Sequence, residues 1–246
     1  METNKIYNED CLTTMTFMEP QSVSLVLTSP PYNMTKRKGG WADKGDRYDK
    51  YDDWMEERDY LDWSVKLFRN FDRILEDNGV VLYNFNYSVE NPSLPYKLVS
   101  KILDNTNFVI ADTITWKKNM RITFPTSSNR LNRNTEFVFV FVRSHELKTF
   151  KTNKKVLKVS EKGQNYYECF DNLIEARNND GPNKINKATF STDFVNKLLD
   201  IYARDNSVIY DPFMGIGSTA KACNQRGLKW IGSEISDTQI DYFNGN

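Results

Sequence analysis

The stretch "LTSPPYN" (27–33) sets a hydroxyl, two prolines and a phenol ring in succession, at Ser29, Pro30, Pro31 and Tyr32. The apolar run ahead of it, "SVSLVLTS" (22–29), reads as a strand covered on both faces. The prolines then form a rigid elbow at the strand's end. Such an elbow is either a plain strand-ending turn or a device that holds polar groups and a ring still for a ligand. A second segment, "SVIYDPFMGIGSTA" (207–220), runs from a strand through a glycine-rich turn into a helix. Gly215 and Gly217 let the backbone turn tightly and approach a ligand. The helix that follows starts with free N–H groups. Glu234, at the end of the next strand in "KWIGSE", can take both hydroxyls of a ribose.

Taken alone, Gly215-x-Gly217-x-x-Ala220 with a later acid also satisfies the dinucleotide fingerprint. Two cofactor classes therefore compete, a nicotinamide or flavin dinucleotide and S-adenosylmethionine. Asp211, just ahead of the glycines, would repel a pyrophosphate and suits a cationic sulfonium and amino group. That favours the methyl donor.

The elements that must position these residues alternate along the chain. A helix is expected over 60–76, where Leu61, Val65, Phe68, Phe71 and Leu75 form one apolar stripe, stopped by Asn78-Gly79. Strands are expected at Val80–Phe85, "FVIADTITW", "FVFVFV" (137–142), "SVIYD" and "LKWIGSE". Helices are expected at "PYKLVSKILDN", at "STDFVNKLLDIYA" with Ser191 or Thr192 as cap, and at "GSTAKACNQRG". The pattern is an α/β parallel sheet interrupted by a basic, irregular insert. It divides into residues 1–116, the insert 117–185 and residues 186–246.

Composition bounds the rest. Apolar residues at 39% and charged residues at 27% are globular values, which argue against wholesale disorder. No long apolar run and no signal peptide is visible, so a soluble intracellular protein without a membrane partner is expected. The cysteines Cys11, Cys169 and Cys223 are far apart and, with the single His145, make a structural metal unexpected. Cys11 and Cys223 read as small core residues and His145 as a solvated turn residue. The zero net charge hides a segregation. Lys117–Lys158 carries eleven Lys or Arg against two Glu, and Asp43–Asp62 carries nine acids against four bases. A basic stretch of this kind suits a polyanion, or is simply a solvated face.

With both motifs in hand, "TSPPY" early and "DPFxGxGST" late, the chain resembles the amino-methyltransferases that methylate exocyclic amines of DNA bases. The order of the motifs is similar to the beta group of that family. The resemblance also covers "NEDCLTTM", "ITWKKN" and residues 186–235. It implies a Rossmann-like methyltransferase sheet with circularly permuted motif order, S-adenosylmethionine as cofactor and double-stranded DNA as partner. A homodimer and a cognate restriction endonuclease stay open. The insert 117–185 sits where the group places its target-recognition region.

The resemblance gives the elbow a chemistry. An exocyclic amine is a poor nucleophile because its lone pair is delocalised into the ring. The Ser29 hydroxyl and the Pro30 carbonyl would accept its hydrogens and free that pair, with Pro31 holding the turn. Tyr32 would offer a face to a base rotated out of the duplex. Rate would come from positioning and electrostatics. For the cofactor, the resemblance implies Asp211, Phe213, Gly215, Gly217, Ser218 and Thr219 at the methyl-donor site and Glu234 at the ribose. Asp10, with Cys11 beside it, would take the adenine end. In a permuted arrangement, the strand carrying Asp10 follows in space the one carrying Glu234. "NKATFS" (186–191) is similar to a family segment written HPATFP; Thr189 and Phe190 match, while the His and both prolines are missing.

Ser29, where relatives acting on adenine more often carry Asp, points to cytosine N4, with adenine N6 the alternative. A C5-cytosine enzyme is excluded, because no cysteine follows a proline. Protein-glutamine methylation, usually with Asn in this slot, is disfavoured. A DNA-binding relic of the cofactor fold and a dinucleotide oxidoreductase are the readings from other classes. For DNA, Lys117, Lys118 and Arg121 are expected at phosphates, and Arg130 and Arg133 near base edges or simply solvated. Lys36, Arg37 and Lys38, in a loop with Trp41, Tyr48 and Tyr51, are either near phosphates or part of a surface loop. Trp116 is expected to pack at a strand end.

Overall fold

Alternation along the central strands writes two apolar faces into one sheet. Leu25 and Leu27, Val80 and Leu82, and Val138, Val140 and Val142 belong to one buried cluster. Val26, then Val81, Tyr83 and Phe85, then Phe139 and Phe141 belong to the other. The computed structural model describes residues 1–33, 50, 54–89, 91–119, 128–181, 185–186 and 189–245.

Among the described residues, ten strands and six α-helices follow in order: β1 (Lys5–Tyr7), α1 (Cys11–Phe17), β2 (Val23–Thr28), α2 (Glu57–Ile74), β3 (Leu75–Phe85), α3 (Leu94–Asn105), β4 (Phe108–Lys118) and β5 (Thr135–Arg143). Then come β6 (Val156–Val159), β7 (Asn165–Tyr167), β8 (Leu173–Ala176), α4 (Thr192–Tyr202), β9 (Val208–Asp211), α5 (Ser218–Gln225), β10 (Lys229–Ser233) and α6 (Asp237–Asn244). Eight strands form one sheet in the order β1-β10-β9-β2-β3-β5-β4-β8. Met15 of α1, Phe68 and Phe71 of α2 and Leu98 of α3 cover one face. Phe194 and Leu198 of α4 and Ala220 and Cys223 of α5 cover the other.

The expected strands and helices are present, with three differences. First, the sheet is mixed: β5 runs antiparallel to both β3 and β4. Second, the helix of 60–76 starts at Glu57 and ends at Ile74, so Asn78 lies within β3 rather than at a helix end. Asn78 has φ 60°, and the register steps there from Val23↔Leu75 to Leu25↔Val80. Its backbone N–H donates to Glu146 Oε1 at 2.8 Å, which accounts for a polar turn inside a strand. Third, the basic stretch 117–185 is woven into the sheet, because β5 is internal to it and β8 forms its edge. Among the described strands, only β6 and β7 stand apart, as a two-stranded hairpin whose strand residues are all exposed.

The strand order fixes where a ligand can enter. From the neighbours β9 and β2, the chain proceeds to β10 on one side and to β3 on the other. A crevice opens at the carboxyl ends of strands where the winding reverses in this way. Ser29 follows β2, Pro212 follows β9, Glu234 follows β10 and Asp10 comes shortly after β1, so all meet at one edge. β1 pairs with β10 in parallel, and the Glu234 N–H donates to Tyr7 O at 3.1 Å, which sets the Asp10 segment beside Glu234.

Candidate active site

A cavity of about 950 Å³, its open mouth included, occupies this crevice. Its walls include Ser29 and Pro31 from the elbow, Asp10 and Cys11 after β1, and Phe213, Gly215 and Ser218 from the glycine turn. Thr189, Phe190 and Glu234 complete the expected set that reaches it. Both halves of the sequence therefore face one space.

Three of the residues expected at the methyl-donor site stand behind the wall instead. Asp211 is fully buried, and its carboxylate accepts from Thr28 Oγ1 at 2.9 Å, the Phe213 N–H at 3.1 Å and Thr219 Oγ1 at 2.6 Å. Its role in the fold is to tie the two halves of the crevice together, with Thr219 as its partner. Burial pushes its carboxyl up to about 6, against the opposing effect of those hydrogen bonds. Gly217, at φ 86°, is needed for space: a Cβ there would come within 2.2 Å of the Phe243 ring. Gly215, at φ 57°, does line the cavity, and its N–H donates to Glu234 Oε2 at 2.8 Å. The other Glu234 oxygen accepts from the Ser236 N–H at 3.0 Å and from Gln239 Nε2 at 3.4 Å, so the carboxylate is held in one orientation. Asp10 caps α1 by accepting the Leu12 N–H at 2.8 Å. Burial raises the Cys11 thiol far above its usual range, which keeps it a neutral wall residue.

In the "NKATFS" segment, Ser218 Oγ donates to Phe190 O at 2.8 Å and Ser191 caps α4 at the Phe194 N–H. Asn186, in the slot where the resembling segment has His, is buried and donates to Gln239 Oε1 at 2.5 Å. Asn186, Gln239 and Trp63 line the cavity and were not singled out in the sequence. The one readable signal was the Asn186 slot; Trp63 looked like part of an ordinary amphipathic helix.

The elbow differs in detail from expectation. Pro30 is buried, and Pro31 rather than Pro30 reaches the cavity. The Pro31 carbonyl accepts from Tyr60 Oη at 2.7 Å, which fixes the turn onto α2. Tyr32 is absent from the wall, because its ring packs 4.9 Å from Phe85 and its hydroxyl is engaged. That hydroxyl donates towards Glu136 Oε2 at 2.9 Å and Asn84 Oδ1 at 3.2 Å, and accepts from Ser29 Oγ at 3.1 Å. Aromatic rings that do reach the cavity include Trp63, 5.7 Å from Phe213 and 5.6 Å from Tyr60.

Of the residues expected at DNA, four are described, and each has a partner within the protein. Lys117 pairs with Glu175 at 2.6 Å, and Lys118 with Glu136. Arg130 donates to Val89 O at 3.1 Å, and Arg133 to Tyr87 O while lying over the Tyr87 ring. Trp116 packs as expected, stacked 4.0 Å from Phe194. Lys36, Arg37, Lys38 and Arg121, with Trp41, Tyr48 and Tyr51, lie outside the described residues.

Comparison with known proteins agrees with this architecture. A family model described as "DNA methylase", for N6 and N4 enzymes, matches residues 23–245. The type II methyltransferase M.BglII of Bacillus subtilis is 23% identical over 97% of this chain and 67% of its own length. M.BamHI of Bacillus amyloliquefaciens is 24% identical over 96% of this chain and 55% of its length. M1.MboII of Moraxella bovis is 24% identical, over 99% of this chain and 96% of its own. Among solved structures, the PvuII DNA methyltransferase, titled cytosine-N4-specific, shares the fold with a TM-score of 0.73 at 18% identity, over 99% of this chain and 87% of that one. The M1.HpyAVI–SAM complex does so with a TM-score of 0.59 at 19% identity, over 98% of both chains. This chain belongs to the N6/N4 DNA methylase family, whose members are S-adenosylmethionine-dependent amino-methyltransferases of DNA.

Proposed function

We propose that the protein transfers a methyl group from S-adenosylmethionine to the N4 amine of a cytosine rotated out of duplex DNA. The observation that carries this reading is that Ser29 shares one cavity with Gly215 and Glu234, so an amine acceptor and a nucleoside cradle face the same space. The wall suits the cofactor. The Glu234 and Asp10 carboxylates stand at one side for hydroxyl and amino donors, and Phe190, Phe213 and Ile235 supply apolar faces. Glu234 would hold the ribose, and Asp10 the adenine end. S-adenosylmethionine supplies a methyl group on a sulfonium that attracts a nearby amine. The chain's own task is to hold the amine in line and draw its lone pair out of the ring, with Ser29 as a neutral acceptor.

Cytosine is favoured by Ser29, and the fold shared with a cytosine-N4-specific enzyme supports it. Residues 1–116 and 186–246 make up the catalytic and cofactor halves of one domain. The stretch 117–185 serves target recognition, with Lys154, Lys155, Lys158 and Lys162 exposed on and around the hairpin of β6 and β7. A β-ribbon of this kind fits a major groove. Relatives named type II methyltransferases support a role in restriction–modification beside a cognate endonuclease. The test is mass spectrometry of nucleosides from DNA incubated with the protein and isotope-labelled S-adenosylmethionine. Labelled N4-methylcytosine is expected. Labelled N6-methyladenine would overturn the base assignment, and no label on diverse DNAs would overturn the activity.

A further inference from the structure

The proposed reaction leaves one question about Ser29. A hydroxyl can donate or accept, and only an accepting Ser29 would pull on an amine hydrogen. Ser29 Oγ lies 3.1 Å from Tyr32 Oη, which lies 2.9 Å from Glu136 Oε2. Glu136 pairs through its other oxygen, Oε1, with Lys118. The side chains of Glu136 and Lys118 are 13% and 18% exposed, so this pair is largely withdrawn from water.

The contacts of these atoms favour one pattern of protons. Glu136 is held by the Lys118 ammonium at one oxygen and accepts at the other, so the Tyr32 proton points to it. Asn84 agrees, since its amide nitrogen donates to Phe137 O at 2.9 Å and leaves its oxygen to face Tyr32 at 3.2 Å. Tyr32 Oη then accepts from Ser29, whose proton is directed away from the cavity that Ser29 lines. The Ser29 lone pairs are left for a donor in the cavity. Hydrogen bonds in series polarise one another, so the negative charge at Glu136 strengthens Ser29 as an acceptor.

We propose that Glu136, acting through Tyr32, is the positioning residue that makes Ser29 an obligate acceptor and receives the proton the methylated amine must shed. This rests on the amine-methylation reading above. The nitrogen lone pair forms the new N–C bond while the C–S pair stays on sulfur, and the nitrogen then carries one proton too many. That proton passes to Ser29 Oγ as the Ser29 proton moves to Tyr32 Oη and the Tyr32 proton to Glu136. Glu136 ends neutral and returns the proton to water. The relay also selects against bases that present a carbonyl in place of the amine, because two acceptors would then face each other.

Two measurements test this on the full-length protein, using a duplex whose methylated site has been mapped with the wild type. The first is the single-turnover rate of wild type, Glu136→Gln, Tyr32→Phe and the double variant. Each single change is expected to slow methylation about 100-fold, in the range of a lost proton-transfer group, with S-adenosylmethionine affinity unchanged. Because both act on one relay, the double variant should be within about threefold of either single, as coupled sites are. The second is binding without turnover, comparing that duplex with one carrying uracil for the target cytosine, or hypoxanthine for adenine. Glutamine can donate to Tyr32 and reverse the chain, so Glu136→Gln should narrow the amine-over-carbonyl preference about tenfold. Single-variant rates within threefold of wild type, multiplying losses, or an unchanged binding ratio would overturn the relay. A wild type that methylates no DNA would overturn the underlying reading instead.

Discussion

Thr28 and Asp211 lie 183 positions apart in the chain and are joined by a buried hydrogen bond of 2.9 Å. Thr28 is the last residue of β2, directly before Ser29, and Asp211 is the last of β9, directly before the glycine turn. The bond therefore fixes the elbow against the cofactor cradle across the seam where the sheet reverses. Thr28→Val keeps the shape and removes the donor. It should lower the unfolding free energy by about 1–3 kcal/mol, the range for leaving a buried acceptor short of a partner. Urea denaturation measures this, and a loss below about 0.5 kcal/mol, the level of a neutral surface change, would remove the seam role.

The same carboxylate sets a pH dependence. Burial raises Asp211 from an ordinary 3.8 to about 6, so the folded state binds its proton more tightly than the unfolded chain does. Its contribution to stability is thus fully present below pH 4 and lost as pH rises through 6. A shift of this size corresponds to about 3 kcal/mol. Asp211→Asn cannot ionise, so the stability of wild type relative to this variant should fall by about 2–2.5 kcal/mol, most of that amount, between pH 4 and pH 7. Denaturation curves of both proteins across that interval give the answer, and a gap that does not change with pH would mean that Asp211 titrates normally.

The two motifs were legible because their chemistry is local: a proline pair after an apolar run, and glycines between a strand and a helix. Most elements were legible for the same reason, as periodic apolar stripes. What was not legible depends on contacts between distant segments. That Tyr32 gives its ring to Phe85 and its hydroxyl to Glu136 follows from β3 and β5 pairing next to the elbow, which no local pattern announces. That Lys118 pairs with Glu136 was not legible, because the two sit 18 positions apart on antiparallel neighbours. The hairpin of β6 and β7 was hidden because both faces are exposed, so neither strand carries an apolar alternation.

Gly217 tests how tightly α6 closes the cradle. Its φ of 86° and the 2.2 Å approach of a Cβ to Phe243 make alanine doubly unfavourable there. Gly217→Ala should lower stability by about 2 kcal/mol or more and weaken S-adenosylmethionine binding. Adding Phe243→Ala relieves the clash but not the backbone strain. Calorimetry and thermal melting should then show part of the cofactor affinity restored, although the second change by itself costs apolar packing against Trp230. If the double variant binds no better than Gly217→Ala, the ring contact is not what demands glycine.

Ser29 and Trp63 both line the cavity, yet their chemistry separates them. Ser29→Ala removes an acceptor aimed at the reacting amine and nothing that a nucleoside cradle needs. It should slow methylation by about 100-fold or more while S-adenosylmethionine affinity stays within about threefold, the signature of an interaction made in the transition state. Trp63→Ala removes an apolar face that lies beside Phe213 and Tyr60. Its loss should appear in binding, raising KM for DNA or the Kd of the cofactor by about tenfold with a smaller effect on kcat. Steady-state kinetics with calorimetry separates the two patterns. Ser29→Ala at full rate would remove the elbow from the chemistry, and Trp63→Ala with unchanged binding would leave Trp63 a packing residue of α2.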